Sequence, residues 1–239
     1  MKKLSLILCG FFCTAVADAA TVNWGAAIDT GIITTTATGS AALPIGNYLL
    51  LGYFTGITDA QIQLAAQTSS GVNGLLTGSN FVRFDFLTVG TGTGAAGSFT
   101  KGSTLSYAAN PSFVPGSQMA FIALNSTNLT SLAAAENSAT QIGITYVRSS
   151  FNANWAFPAS DIATAPNVDL TQLAPADGNH VYDAGNYVPT SSASLTASGF
   201  PSTNKALQLQ TVLVPEPSAL TLLAFAAFGA AGFRRRNQK

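Results

Sequence analysis

Charge is what this chain most lacks. Asp, Glu, Lys and Arg make up 8% of its 239 residues, against about 25% in an ordinary soluble domain. The basic residues it has crowd into the terminal segments, at Lys2, Lys3, Arg234, Arg235, Arg236 and Lys239. Across residues 20–214 only Arg83, Lys101, Arg148 and Lys205 stand against eight acids, a formal charge of −4. Such a body has no basic stripe to neutralise phosphates, which excludes nucleic acid as a partner. Cysteine is nearly absent too. Both, Cys9 and Cys13, fall in an N-terminal apolar run, preceded by Leu8 and Phe12, not by the small residue that a lipoprotein cleavage site needs. Structural disulfides and cysteine-ligated zinc are therefore excluded from the body. Histidine occurs once, as His180, which leaves little material for acid–base catalysis.

What remains is apolar and uncharged-polar. Hydrophobic residues reach 47%, enough for a packed core. Ser, Thr, Asn, Gln and Gly fill the rest, as in secreted β proteins. Residues 1–19 have the three parts of a secretory signal peptide. Lys2 and Lys3 form the charged start, residues 4–16 the apolar run, and Ala17-Asp18-Ala19 the small-x-small cleavage site. The run is short of the ~20 residues that a membrane span needs, so removal by cleavage after Ala19 is expected. This signal makes the Sec translocon a partner.

The other end carries Pro215-Glu216-Pro217, an uncharged run over residues 219–233, and then Arg234-Arg235-Arg236. As a helix the run would extend about 22 Å, somewhat less than a ~30 Å hydrocarbon core. It spans with local thinning and with the arginines snorkelling to the headgroups. The arginines would stay cytoplasmic and leave the body outside. The two prolines cannot join the helix and hold the glutamate in an extended segment at the membrane face.

This tripartite layout resembles that of PEP-CTERM proteins of Gram-negative bacteria. The resemblance implies that exosortase, an integral membrane cysteine transpeptidase-like enzyme, reads Pro215, Glu216 and Pro217 as the sorting motif. Arg234, Arg235 and Arg236 match the basic membrane-stop tail. It further implies a transient inner-membrane precursor, removal of the tail, and delivery to the cell surface or extracellular matrix, where exopolysaccharide is a candidate partner.

Between the signals, residues 20–213 show short apolar runs punctuated by Gly, Ser, Thr, Asn and Pro, the pattern of an all-β protein. Strands are expected over 48–54, 81–89, 97–101, 119–124, 141–148, 154–157, 180–187 and 206–213. So many in one chain predict a β-sandwich or jelly-roll-like body. Val82, Phe84 and Phe86 should share one face, and residues 119–124, apolar throughout, should sit centrally. Thr58 and Gln61 form a capping box that opens a helix through about Gln67, with Ile57 and Ile62 placed as a hydrophobic staple. A second short helix is expected over 129–136. The glycine-rich stretch 90–97 lacks the lysine of a phosphate loop and reads as a hairpin loop.

Candidate chemistry in the body is thin. His180 lies near Asp177 and Asp183, but no serine sits in a Gly-x-Ser-x-Gly elbow. The acids offer no spacing that singles out a glycosidase pair. Residues 177–186 hold oxygen donors and glycines suited to calcium, yet depart from the EF-hand pattern, and a plain turn accounts for them. Trp24, Tyr107, Trp155, Tyr182 and Tyr187 would make a sugar platform if exposed, or core if not. No catalytic residue, cofactor or metal is assigned. The expectation is a non-enzymatic structural or adhesive surface protein, with a secreted carbohydrate-binding or carbohydrate-cleaving protein as the alternative.

Overall fold

The computed structural model describes residues 20–26, 30–37, 39–105, 112–158, 165–189 and 205–213. The expected signal peptide and the expected membrane helix both lie outside these residues. Among the described residues the strands are β1 (Ala20–Ala26), β2 (Thr30–Thr36), β3 (Gly39–Ala42), β4 (Tyr48–Phe54), β5 (Phe81–Thr88), β6 (Phe99–Leu105) and β7 (Ala120–Ser126). They continue with β8 (Ala139–Val147), β9 (Asn167–Asp169), β10 (His180–Ala184), β11 (Asn186–Val188), β12 (Lys205–Gln208) and β13 (Gln210–Thr211). Three helices interrupt them: α1 (Asp59–Ala65), α2 (Ser69–Thr77) and α3 (Leu132–Asn137). The chain is thus mostly β, as its composition predicts.

The strands form three sheets. A six-stranded sheet has the order β10-β8-β7-β4-β5, with β13 also on β8; the others run β6-β1-β9 and β11-β12-β2-β3. Pairing is antiparallel except for β1 with β9 and β12 with β2. The six-stranded sheet is buried on both faces. One face sends Leu49, Leu51, Phe121, Ala123 and Val147 against Val22, Trp24, Ile32, Phe99 and Leu207 of the smaller sheets. The other sends Leu50, Ile122, Leu124, Ile142 and Ile144 against Ile62, Val72, Leu75 and Leu76 of the helices. The run 119–124, most of which lies in β7, is apolar throughout because it needs two buried faces, as its sequence predicts. The layers are also tied by a polar chain. Trp24 Nε1 donates to Ser103 Oγ at 2.8 Å, Ser103 donates to the Asp85 carboxylate, and Lys101 reaches Asp85 at 2.7 Å.

Helix α1 begins at the expected capping box, with Thr58 and Gln61 bonded reciprocally and Ile62 buried behind them. Helix α3 starts at Leu132, somewhat later than its expected start. Helix α2 is not predicted by the sequence reading, because Gly71 and Gly74 depress helix propensity. Thr68 as N-cap, accepting from the Gly71 N–H, and the buried side of Val72, Leu75 and Leu76 stabilise it regardless.

Other expectations are corrected. Strands β1, β2 and β3 escape a search for apolar runs, since β1 alternates Val22, Trp24 and Ala26 inward with polar residues between, while β2 and β3 are rich in Thr, Ser, Gly and Ala. Phe86 does not share a face with Val82 and Phe84. A bulge opposite Leu51 and Gly52 shifts the register, so Leu87 turns inward and Phe86 stands 45% exposed. Residues 153–155 form a 3-10 turn instead of a strand. The glycine-rich loop does not close a hairpin, since β5 and β6 belong to different sheets.

The most informative correction is that two expected strands are each split. The chain leaves the six-stranded sheet after β10 and enters the four-stranded sheet as β11, turning at Gly185. It leaves that sheet after β12 and rejoins the six-stranded one as β13, turning at Leu209. Gly185 has φ +82°, and a Cβ there would lie 2.3 Å from the Gln208 carbonyl oxygen of the second corner. Only glycine lets the two corners pack back to back. Gly185→Ala is therefore expected to destabilise the body by about 2–4 kcal/mol, read by urea unfolding of the buried Trp24 and Trp155 fluorescence.

Candidate functional site: the exit strand and its motif

Ala17 and Ala19, Pro215, Glu216 and Pro217, and Arg234, Arg235 and Arg236 all lie outside the described residues. The structure supplies the points to which those segments attach. At one end, Ala20 opens β1 and pairs with Leu105 of β6. At the other, residues 210–213 form a short exit strand that ends two residues before Pro215.

Free backbone groups at the ends of two helices hold that strand. Carbonyls beyond the last turn of α1 and N–H groups in the first turn of α2 have no intrahelical partners. The Leu213 N–H donates to the Gln67 carbonyl at 2.8 Å, and the Ser69 N–H donates to the Leu213 carbonyl at 3.1 Å. Gln210 adds a side-chain clamp, its Nε2 donating to the Ala66 carbonyl while its Oε1 accepts the Gly185 N–H, both at 3.2 Å. Val212 is buried in the helix-side core and donates to the Thr140 carbonyl at 2.8 Å. Leu213 itself projects 65% exposed. The exit strand thus caps α1 and α2 together, which fixes where the following segment leaves the body.

The residues weighed for chemistry resolve as follows. His180 is buried against Phe151, with Nδ1 3.0 Å from Asp177 Oδ1. The same oxygen accepts the N–H groups of Asn179 and His180, and these bonds hold the Asp177 carboxyl well below its ordinary range. This is a turn built around one carboxylate oxygen, and Asp183 belongs elsewhere. Among the described residues no group of three or more His, Cys, Asp or Glu side chains is placed to hold a metal. Trp24 and Trp155 are core residues, and Tyr182 spends its hydroxyl on the Ala174 carbonyl at 2.6 Å. Tyr107 lies outside the described residues.

One cluster was not visible in the sequence. Asp183 is the extra residue of a bulge in β10 and points under α1, 2% exposed, where Gln63 Nε2 donates to its Oδ1 at 3.2 Å. Its Oδ2 is buried with no hydrogen-bond partner. Asp59, one turn before Gln63 on α1, pairs with Arg148 at 3.3 Å across the end of β8. Burial first, and the nearby Asp59 charge, push the Asp183 carboxyl up to about 6, while Gln63 and Arg148 pull it back. Burial with the Asp183 and Asp59 carboxylates also raises the Tyr146 phenol. The bulge that turns Asp183 inward leaves no mark in the local sequence.

The described residues end two positions before Pro215-Glu216-Pro217 and the arginine-terminated apolar run, the layout of a folded body followed by a C-terminal signal segment. The model of the PEP-CTERM protein-sorting motif matches residues 213–236. The chain is a carrier of that motif, and the motif implies an exported protein recognised by exosortase and processed at the membrane. No curated protein and no solved structure matches the chain. No helix among the described residues is long and apolar enough to cross a membrane.

The buried carboxyl gives the body a pH signature. Unfolded, Asp183 loses its proton near its ordinary value of 3.8; folded, it keeps it to about 6. The folded state binds the extra proton between those values, so stability falls as pH rises from about 4 to about 6, by about 1–3 kcal/mol. Asp183→Asn should flatten that part of the profile, measured as urea midpoints at a series of pH values.

Proposed function

We propose that this chain is a non-enzymatic structural or adhesive protein of the bacterial surface or extracellular matrix, delivered as a membrane-held precursor and released by exosortase. In this reading residues 1–19 direct the chain to the Sec translocon and are removed after Ala19. Residues 219–233 then halt in the inner membrane as a helix, with Arg234, Arg235 and Arg236 on the cytoplasmic side. The motif match that begins on Leu213, the last described residue of the body, carries the proposal. The boundary leaves no linker for a further domain between body and signal, so the β body is the exported cargo.

Physical chemistry supports each step. The arginines resist translocation and fix the orientation. Pro215 and Pro217 keep Glu216 out of any helix, so an enzyme in the membrane meets an extended peptide with one carboxylate. The body contains no cysteine and needs no oxidation step to fold, and its hydroxyl and amide surface suits a hydrated polysaccharide matrix. With both tryptophans in the core, support for a stacked-sugar platform among the described candidates comes from the half-buried Tyr182 and Tyr187.

Replacing Pro215-Glu216-Pro217 by three alanines should leave full-length tail on the protein, held in the membrane fraction of cells that possess exosortase. Intact mass of the wild-type protein recovered from the surface should show both ends missing. Full-length wild-type protein in such cells would refute the processing scheme. Retardation of the body in a gel of the host's own polysaccharide would move the reading to a carbohydrate-binding protein.

A further inference from the structure

The pinned exit strand limits how the precursor can stand on its membrane. From Leu213 to Ala219, where the uncharged run begins, the chain takes six steps, at most about 21 Å when fully extended. The headgroup layer occupies about 5–7 Å of that distance. Leu213 cannot swing freely, because its N–H and carbonyl are bonded to Gln67 and Ser69. The connection between α1 and α2 must therefore lie within about 15 Å of the lipid headgroups.

The chemistry of that region fits the position. From Ala60 to Val82 no side chain is ionisable, whereas the body as a whole is acidic and would be repelled by anionic lipid. Two large apolar side chains stand out from it. Leu64 is 68% exposed and Leu213 65% exposed, and the two flank Gln67, whose N–H bonds to the Leu64 carbonyl and whose carbonyl bonds to Leu213. We infer that the α1–α2 edge of the body is a membrane-facing surface, seated on the phospholipid leaflet that holds residues 219–233, with Leu64 and Leu213 reaching the headgroup region. The sheet β6-β1-β9, on the opposite side of the six-stranded sheet from the helices, then faces away from the membrane. This rests on the proposed insertion of residues 219–233.

The absence of cysteine from residues 20–239 makes the test direct. Leu64→Cys and, on β6, Thr104→Cys place a single thiol at two exposed positions, so neither disturbs the core. Residues 20–239 carrying a polarity-sensitive fluorophore at either thiol are reconstituted into vesicles of phosphatidylethanolamine with a minority of phosphatidylglycerol. Headgroup-spin-labelled lipid should quench the Leu64→Cys label several-fold more than the Thr104→Cys label. Flotation of the same vesicles reads insertion of the tail separately. Protein that floats but shows equal quenching at the two sites overturns the orientation and leaves the anchor standing. Protein that fails to float overturns both. Preferential quenching or shielding at Leu64→Cys that develops only when exosortase is also in the vesicles would assign the surface to the enzyme and overturn a lipid partner.

Discussion

The constraint on which this structure depends is that β7 and β8 have no solvent face. Phe121, Ile122, Ala123 and Leu124 are all fully buried, so successive residues of one strand need apolar cover on opposite sides. On one side the smaller sheets supply it, with Phe99 stacked on Phe121 at 5.4 Å and Trp24 edge-on to both. On the other, only short helices are available. None of the three exceeds nine residues, too short to be stable alone in water. Their stability comes from the sheet they cover and from their caps. In a body without cysteine, that mutual dependence is what holds the layers together.

The exit strand is part of this arrangement. Strand β8 is bordered by β10 along residues 144–147 and by β13 along residues 141–142. The change of neighbour falls at Gly143, against which Leu207 and Leu209 pack. The chain reaches β13 by leaving the four-stranded sheet at Leu209, and the Gly185 corner makes room for it. Completing the edge of β8 carries Leu213 to the junction of α1 and α2, where unpaired backbone groups receive it. The position of the sorting motif follows from how the core closes.

Legibility in the sequence tracked the range of the forces involved. The sorting motif was readable because it is a linear segment, with each part set by a short-range property of the sequence: the Pro-Glu-Pro, the uncharged run and the arginines. The Thr58–Gln61 capping box and the wholly apolar run 119–124 were readable for the same reason. The splits at Gly185 and Leu209 were not, since residues 180–187 and 206–213 each have the composition of one continuous strand. A change of sheet midway is set by partners at least 18 residues distant. Asp183 was legible as an acid and not as a buried one, because the bulge that turns it inward depends on its pairing with β8. Lacking exposed tryptophan or a metal-binding group among the described residues, the body offers no local signature of a ligand.

The two ends of the described body differ in how firmly they are held. Strand β1 lies between β6 and β9, paired over its whole length on one side and over three residues on the other. A segment preceding Ala20 therefore adjoins a strand in the interior of a sheet, and opening that strand would dismantle the layer that covers Phe121. Leu213 is held by two backbone hydrogen bonds, each worth about 1 kcal/mol net, with its side chain already in solvent. Fraying from Leu213 back to the buried Val212 thus costs about 2 kcal/mol and exposes no core. Release of that one residue would lengthen the chain between the body and the C-terminal motif while the body stays folded. A segment preceding Ala20 is offered no such small opening once β1 is paired on both sides.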